Sequence, residues 1–193
     1  MRKSIIISTL VAALTFFVAM ASAATIVTQW SYVADGTFTS YNSTNGDLSL
    51  ITLSADERTL SWGEPLNNLN LKSSIDINAT TGFLDTNGPA ESGMKLTHYN
   101  NILNGNEETL ANGSVLATFL LTPNLPVVQD SLPIFQAALL FDFFETINED
   151  YTYDMWILRN PQAAVESFEY DGYDYTFEFG GFGPIVEDDP DIL

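Results

Sequence analysis

Tyr173-Asp174-Tyr175-Thr176-Phe177-Glu178-Phe179 alternates aromatic rings with polar side chains. A strand puts successive side chains on opposite faces, so this stretch gathers its four rings on one side and Asp174, Thr176 and Glu178 on the other. Asp171-Gly172 stands between it and the run ending at Tyr170, a two-residue hairpin signal of type I′. The sequence therefore predicts a terminal hairpin of strands 167–170 and 173–179 with one aromatic face to bury.

Working outward, the same short apolar-alternating runs recur between clusters of Gly, Asn, Asp and Pro. They predict strands over residues 26–34, 37–41, 48–53, 59–62, 73–78, 94–98, 114–121, 135–145 and 153–159. Residues 42–47 and 85–89 read as loops, and Pro123, Pro126 and Pro133 as punctuation of a loop crossing between sheets. Residues 135–144 are nearly all apolar, which reads as a central strand buried on both faces. Their aromatic weight and the preceding Pro133 favour strand over helix. The expected fold is all-β: a single-domain antiparallel β-sandwich, jelly-roll-like, over residues 24–183, with an acidic tail at 184–193.

The N-terminus has its own signature. Arg2 and Lys3 precede an apolar run from Ile5 to Met20, and Ala21-Ser22-Ala23 supplies the small residues a signal peptidase accepts. The run is shorter than the roughly 20 residues a spanning helix needs. Residues 1–23 are thus read as a signal peptide cut after Ala23, giving a secreted protein with no membrane segment after cleavage. Losing Arg2 and Lys3 takes the formal net charge from −19 to −21. Such a charge repels nucleic acid and anionic membranes, which excludes both as partners at this stage. The absence of cysteine excludes disulfides, cysteine-built zinc sites and thiol nucleophiles, and a single histidine excludes a two-histidine metal site.

That histidine lies in Thr97-His98-Tyr99-Asn100. Upstream are Ser61-Trp62-Gly63-Glu64-Pro65 and the serine-led Ser73-Ser74-Ile75-Asp76-Ile77; downstream are Phe143-Phe144-Glu145-Thr146-Ile147-Asn148 and Tyr153-Asp154-Met155-Trp156-Ile157-Leu158. In this order the segments resemble the THxN family of PEP-CTERM proteins, exported bacterial proteins named for the tetrapeptide. The resemblance makes Trp62, Gly63, Thr97, His98, Asn100, Glu145 and Asn148 signature positions. It implies an exported protein of exopolysaccharide-producing, biofilm-forming bacteria and brings no established activity with it. Relatives commonly carry a Pro-Glu-Pro sorting segment, which this sequence lacks, and cysteines in the last third, also lacking. The resemblance therefore speaks for the domain and not for surface sorting.

The residues leave several roles open for the motif. His98 can lock a loop through both ring nitrogens, contact a ligand, or act as a base, although no nucleophile motif stands beside it. Asn100-Asn101 suits a turn bonding back to nearby backbone. Trp62 and Trp156 read as core, whereas a carbohydrate platform would need Trp30, Tyr32, Tyr151, Tyr153 and Tyr173 to align exposed rings. Glu145, Asn148, Glu149, Asp150 and Asp154 supply oxygen atoms of the kind calcium takes, without EF-hand spacing. Glu64 with Glu145 would be a glycosidase pair only if the fold sets them at the right separation. The expectation is a non-catalytic extracellular or surface-matrix protein without an obligatory cofactor, calcium being the one candidate. A carbohydrate-binding module is the alternative and a glycan hydrolase the third reading, with extracellular polysaccharide or matrix as partner.

Overall fold

The computed structural model describes residues 24–66, 71–104, 109–126, 132, 134–146, 154–160 and 165–178. The predicted signal peptide and acidic tail lie outside these residues. Eleven strands and no helix are found among them: β1 (Gln29–Ser43), β2 (Thr52–Leu53), β3 (Thr59–Trp62), β4 (Ser73–Asn78), β5 (Thr80–Asp85), β6 (Lys95–Tyr99), β7 (Leu110–Leu125), β8 (Phe135–Phe144), β9 (Met155–Leu158), β10 (Val165–Tyr170) and β11 (Tyr173–Glu178). They form a five-stranded sheet ordered β5-β1-β7-β8-β9, a four-stranded sheet ordered β2-β3-β4-β6, and the hairpin β10-β11, with every pairing antiparallel. The architecture is an all-β sandwich in which antiparallel sheets pack against each other and one sheet is curled.

Both cores lie on one face of the five-stranded sheet. In β1, Trp30, Tyr32, Ala34 and Phe38 are buried at alternate positions, each opposite a buried or strand-core residue of β7. Phe38, Val115, Phe141 and Phe143 pack with Leu60, Trp62, Ile75 and Ile77 of the smaller sheet. Trp30, Tyr32, Phe119 and Leu121 pack instead with Tyr175 and Phe177 of the hairpin. Two separate covers on one long sheet give that sheet its length, 15 residues in β1 and 16 in β7.

The hairpin follows the sequence pattern closely. Asp171 and Gly172 have φ of 47° and 78°, the left-handed pair a type I′ turn requires. Tyr175 and Phe177 are buried, while Asp174, Thr176 and Glu178 are exposed. Trp30 meets Phe168, Tyr170 and Tyr175 edge-on, and Phe119 stacks on Phe177 with centroids 4.1 Å apart.

Other expectations need correction. The predicted strands 26–34 and 37–41 are one strand, β1, because Asp35 and Gly36 stay in the ladder opposite Thr118 and Ala117. Residues 80–85 form β5, which Gly82 hid by interrupting the alternation. Pro123 does not begin a loop but sits inside β7 opposite Trp30, where a register shift between Gln29 and Trp30 accommodates a residue without an N–H. Strand 48–53 shortens to β2. β8 is not buried on both faces: Gln136, Ala138, Leu140 and Phe144 point outward and are exposed.

Candidate functional site

The signature residues meet at one end of the first core, starting from β3. Its inward residues are Leu60 and Trp62, which pair with Ile75 and Ser73 of β4; Ile75 in turn pairs with His98 of β6. Trp62 is thus diagonal to His98, with the small buried Ser73 directly across from it. The indole stacks on the imidazole at 5.7 Å between centroids and 11° between planes. Phe143 of β8 meets both rings edge-on, at 4.9 Å from Trp62 and 5.4 Å from His98.

Gly63 then turns the chain. Its φ is 81°, and a Cβ placed there would lie 2.5 Å from Leu103 Cδ1. Beyond it Pro65 bridges Leu103, Leu66 N–H donates to Ile102 O, and Asn104 N–H donates to Glu64 O. The Trp-Gly segment and the chain after Thr97-His98-Tyr99-Asn100 therefore run together as a continuation of the small sheet. Asn101 ties the turn rather than Asn100, which is exposed. Asn101 N–H donates to Ser73 Oγ, Ser73 O–H to Asn101 O, and Asn101 Nδ2 to Lys72 O.

The larger sheet supplies the carboxyls. The β8–β9 register ends with Phe144 opposite Met155. One step further places Glu145 opposite Asp154, on the inward face that Phe143 and Trp156 share. Trp62 Nε1–H donates to Glu145 Oε2 at 2.6 Å. Thr146 donates its N–H and its hydroxyl to Asp154 Oδ1 at 2.7 and 3.0 Å. Asp154 Oδ2 faces His98 Nε2 at 3.6 Å, with the Asp154 side chain 2% exposed and His98 24%. Glu145 Oε1, Asp154 Oδ2 and His98 Nε2 are all buried without a hydrogen-bond partner. Of the roles left open for His98, a lock through both ring nitrogens is not formed, since Nε2 makes no hydrogen bond; the ring packs between Trp62 and Phe143.

The surroundings set the charges. Burial pushes the Glu145 carboxyl up to about 7; the Trp62 N–H opposes the rise and the Asp154 carboxylate adds to it. Burial likewise holds the His98 imidazole below its ordinary range, against the pull of Asp154. Burial is thus the main cause of the Glu145 shift, and the nearby Asp154 carboxyl adds to it.

The structure thus brings together Trp62, His98 and Glu145, with Gly63 beside them, and leaves Thr97 on the outer face opposite Asp76. Asn148, Glu149 and Asp150 lie outside the described residues. No group of three or more His, Cys, Asp or Glu placed to hold a metal ion occurs among the described residues. Glu64 is exposed, within 3.5 Å of Asn104 Nδ2, while Glu145 has Trp62 and Asp154 as neighbours. Trp30 and Tyr32 are buried and cannot join a carbohydrate platform; Tyr151 and Tyr153 lie outside the described residues. The turn at Asn100-Asn101 bonds back to nearby backbone as expected, through Asn101, whereas Ser73, Thr146 and Phe143 belong to the motif segments but were assigned no role in the site from sequence alone. Asp154 was read as part of the acidic-aromatic segment and as a calcium ligand; its place opposite Glu145 follows from continuing the β8–β9 register one step. No protein-family model matches this chain, and no curated protein matches it in sequence.

Proposed function

We propose that this chain is an exported, non-catalytic domain of a bacterial surface or extracellular matrix, of the THxN kind. One observation supports this reading above others: Trp62, His98 and Glu145, three of the signature residues, pack against each other between two sheets. Trp62 is fully buried, His98 is stacked against it, and Glu145 is held by the indole N–H. Residues used in this way join the two sheets and fix the fold. The partner this reading implies is extracellular polysaccharide or matrix, met by the outer surface.

Glu145 gives a glycan hydrolase its one specific point of support, since a buried carboxyl raised to about 7 with a second carboxyl, Asp154, nearby suits a general acid. The deciding experiment is a panel of glycan substrates and glycan-binding assays on the protein and on Glu145→Gln. The expected result is no turnover by either protein. Turnover lost in a folded Glu145→Gln protein would overturn the proposal in favour of the hydrolase. Export is tested separately by sequencing the N-terminus of the secreted protein, which should begin at Ala24.

A further inference from the structure

The larger sheet ends on one side at β5, which pairs with β1 alone. In an antiparallel ladder alternate residues turn their N–H and C=O groups away from the partner strand, so β5 presents a row of them along the sheet edge. Among the described residues, the backbone of Thr80 to Leu84 bonds to no strand but β1. Its outer face is also open: Phe83 is 57% exposed, and Val33, diagonal to it in β1, is 39% exposed. We propose that β5 is a self-association edge, on which a second copy of this chain lays its own β5 antiparallel about a two-fold axis at Gly82. The two five-stranded sheets then continue as one. This goes beyond the reading of the signature residues and does not depend on it.

Folded proteins guard exposed edges with charge, short strands, proline or bulges. The other edges here follow that rule. β2 has two residues and β9 four, β6 carries Lys95 and His98, β10 carries Glu166 and Glu169, and β11 carries Asp174 and Glu178. From Thr80 to Leu84 β5 has no charge and no proline, and its register with β1 runs without a shift. In a chain with 25 acidic residues, that is an uncommon stretch to leave on an edge.

A second copy fits because the segment complements itself. A two-fold axis at Gly82 sets Thr81 opposite Phe83 on the outer face and Thr80 opposite Leu84 on the inner one, so side chains keep to their own faces. Each uncharged residue then meets another, and Asp85 falls at the end of the ladder opposite Ala79. Ala79 follows Asn78, whose ladder partner is the cation Lys95, so the acidic end of one β5 meets the less acidic end of the other. Moving the axis toward Asp85 would instead bring the two carboxylates together. The summed field of two strongly acidic surfaces still opposes the pairing, so association strengthens as salt screens it.

The test is sedimentation equilibrium of the protein, Phe83→Lys and Ile157→Lys in about 0.05 M and about 0.5 M sodium chloride. The protein should pass from one chain to two as concentration rises, and at lower concentration in the higher salt. Phe83→Lys should raise the dimer dissociation constant at least about tenfold. The added lysine lowers the net negative charge, so such weakening is local to the edge. Ile157→Lys makes a matching change on β9 and should behave as the parent; both side chains are exposed, so neither change opens the core. Hydrogen exchange gives a second readout, since the amides of residues 80–84 should slow as the dimer forms. One chain at every concentration overturns the proposal, including the case where a segment of the same chain protects those amides. A dimer that Phe83→Lys leaves intact overturns it too, and one broken by Ile157→Lys alone places the contact at β9 instead.

Discussion

His98 holds its place by its ring faces. It stacks on Trp62, meets Phe143 edge-on, and leaves Nε2 without a hydrogen bond. Truncation to Ala removes those contacts and opens a void beside the largest buried side chain of the core, so His98→Ala should lose on the order of 1–3 kcal/mol in urea unfolding. His98→Phe keeps an aromatic face and removes a buried nitrogen that has no partner, so it should lose clearly less. Equal losses from the two variants would show that a polar contact, not stacking, fixes the residue. Gly63 is a second residue whose side chain, or lack of one, is dictated locally. With φ at 81° and Leu103 against the missing Cβ, Gly63→Ala should destabilise by about 1–3 kcal/mol, measured in the same unfolding experiment.

Among the elements, the terminal hairpin was the most legible and its docking the least. Tyr173 to Glu178 announces its buried face by alternation, and Asp171-Gly172 announces its turn. What the hairpin covers depends on Trp30 and Tyr32, far off in sequence, and no local pattern names such a partner. The tie is also polar: Val27 N–H donates to the Tyr175 hydroxyl at 2.9 Å in a buried position. Tyr175→Phe strands that N–H, so it should lower stability by about 1–3 kcal/mol and speed hydrogen exchange at the Val27 amide. Unchanged exchange there would mean that the hydroxyl is not what secures the segment before β1. The candidate site divides the same way. Trp62, His98 and Glu145 stood out by residue type, but the approach of Asp154 to Glu145 follows only from continuing the β8–β9 register one step past Phe144 and Met155. β5 and the inner part of β1 were hidden because Gly36 and Gly82 read as breaks while their backbones remain paired.

At the scale of the whole molecule, 25 acidic residues against 6 basic ones make self-repulsion the dominant long-range term. Arg58 is committed to Asp35 and Arg159 to Asp142, which leaves little positive charge to offset it. Added salt of any kind should therefore raise Tm by screening, and a calcium site must be separated from that background. The described part of the calcium loop bears on the outcome. Glu145 turns inward to Trp62 and Asp154 to Thr146, so two of the five oxygen-bearing residues are already engaged in joining the sheets. Calcium should then raise Tm no more than magnesium at matched ionic strength, and EDTA should leave it unchanged. A saturable, calcium-specific rise would contradict this. It would also require the ion to draw Glu145 and Asp154 away from their present partners or to be held by other oxygens. The two cases separate by pH: burial raises the Glu145 carboxyl to about 7, so its contribution to stability is lost as pH rises through neutrality, and an ion that takes Glu145 would abolish that loss whereas an ion held elsewhere would leave it in place.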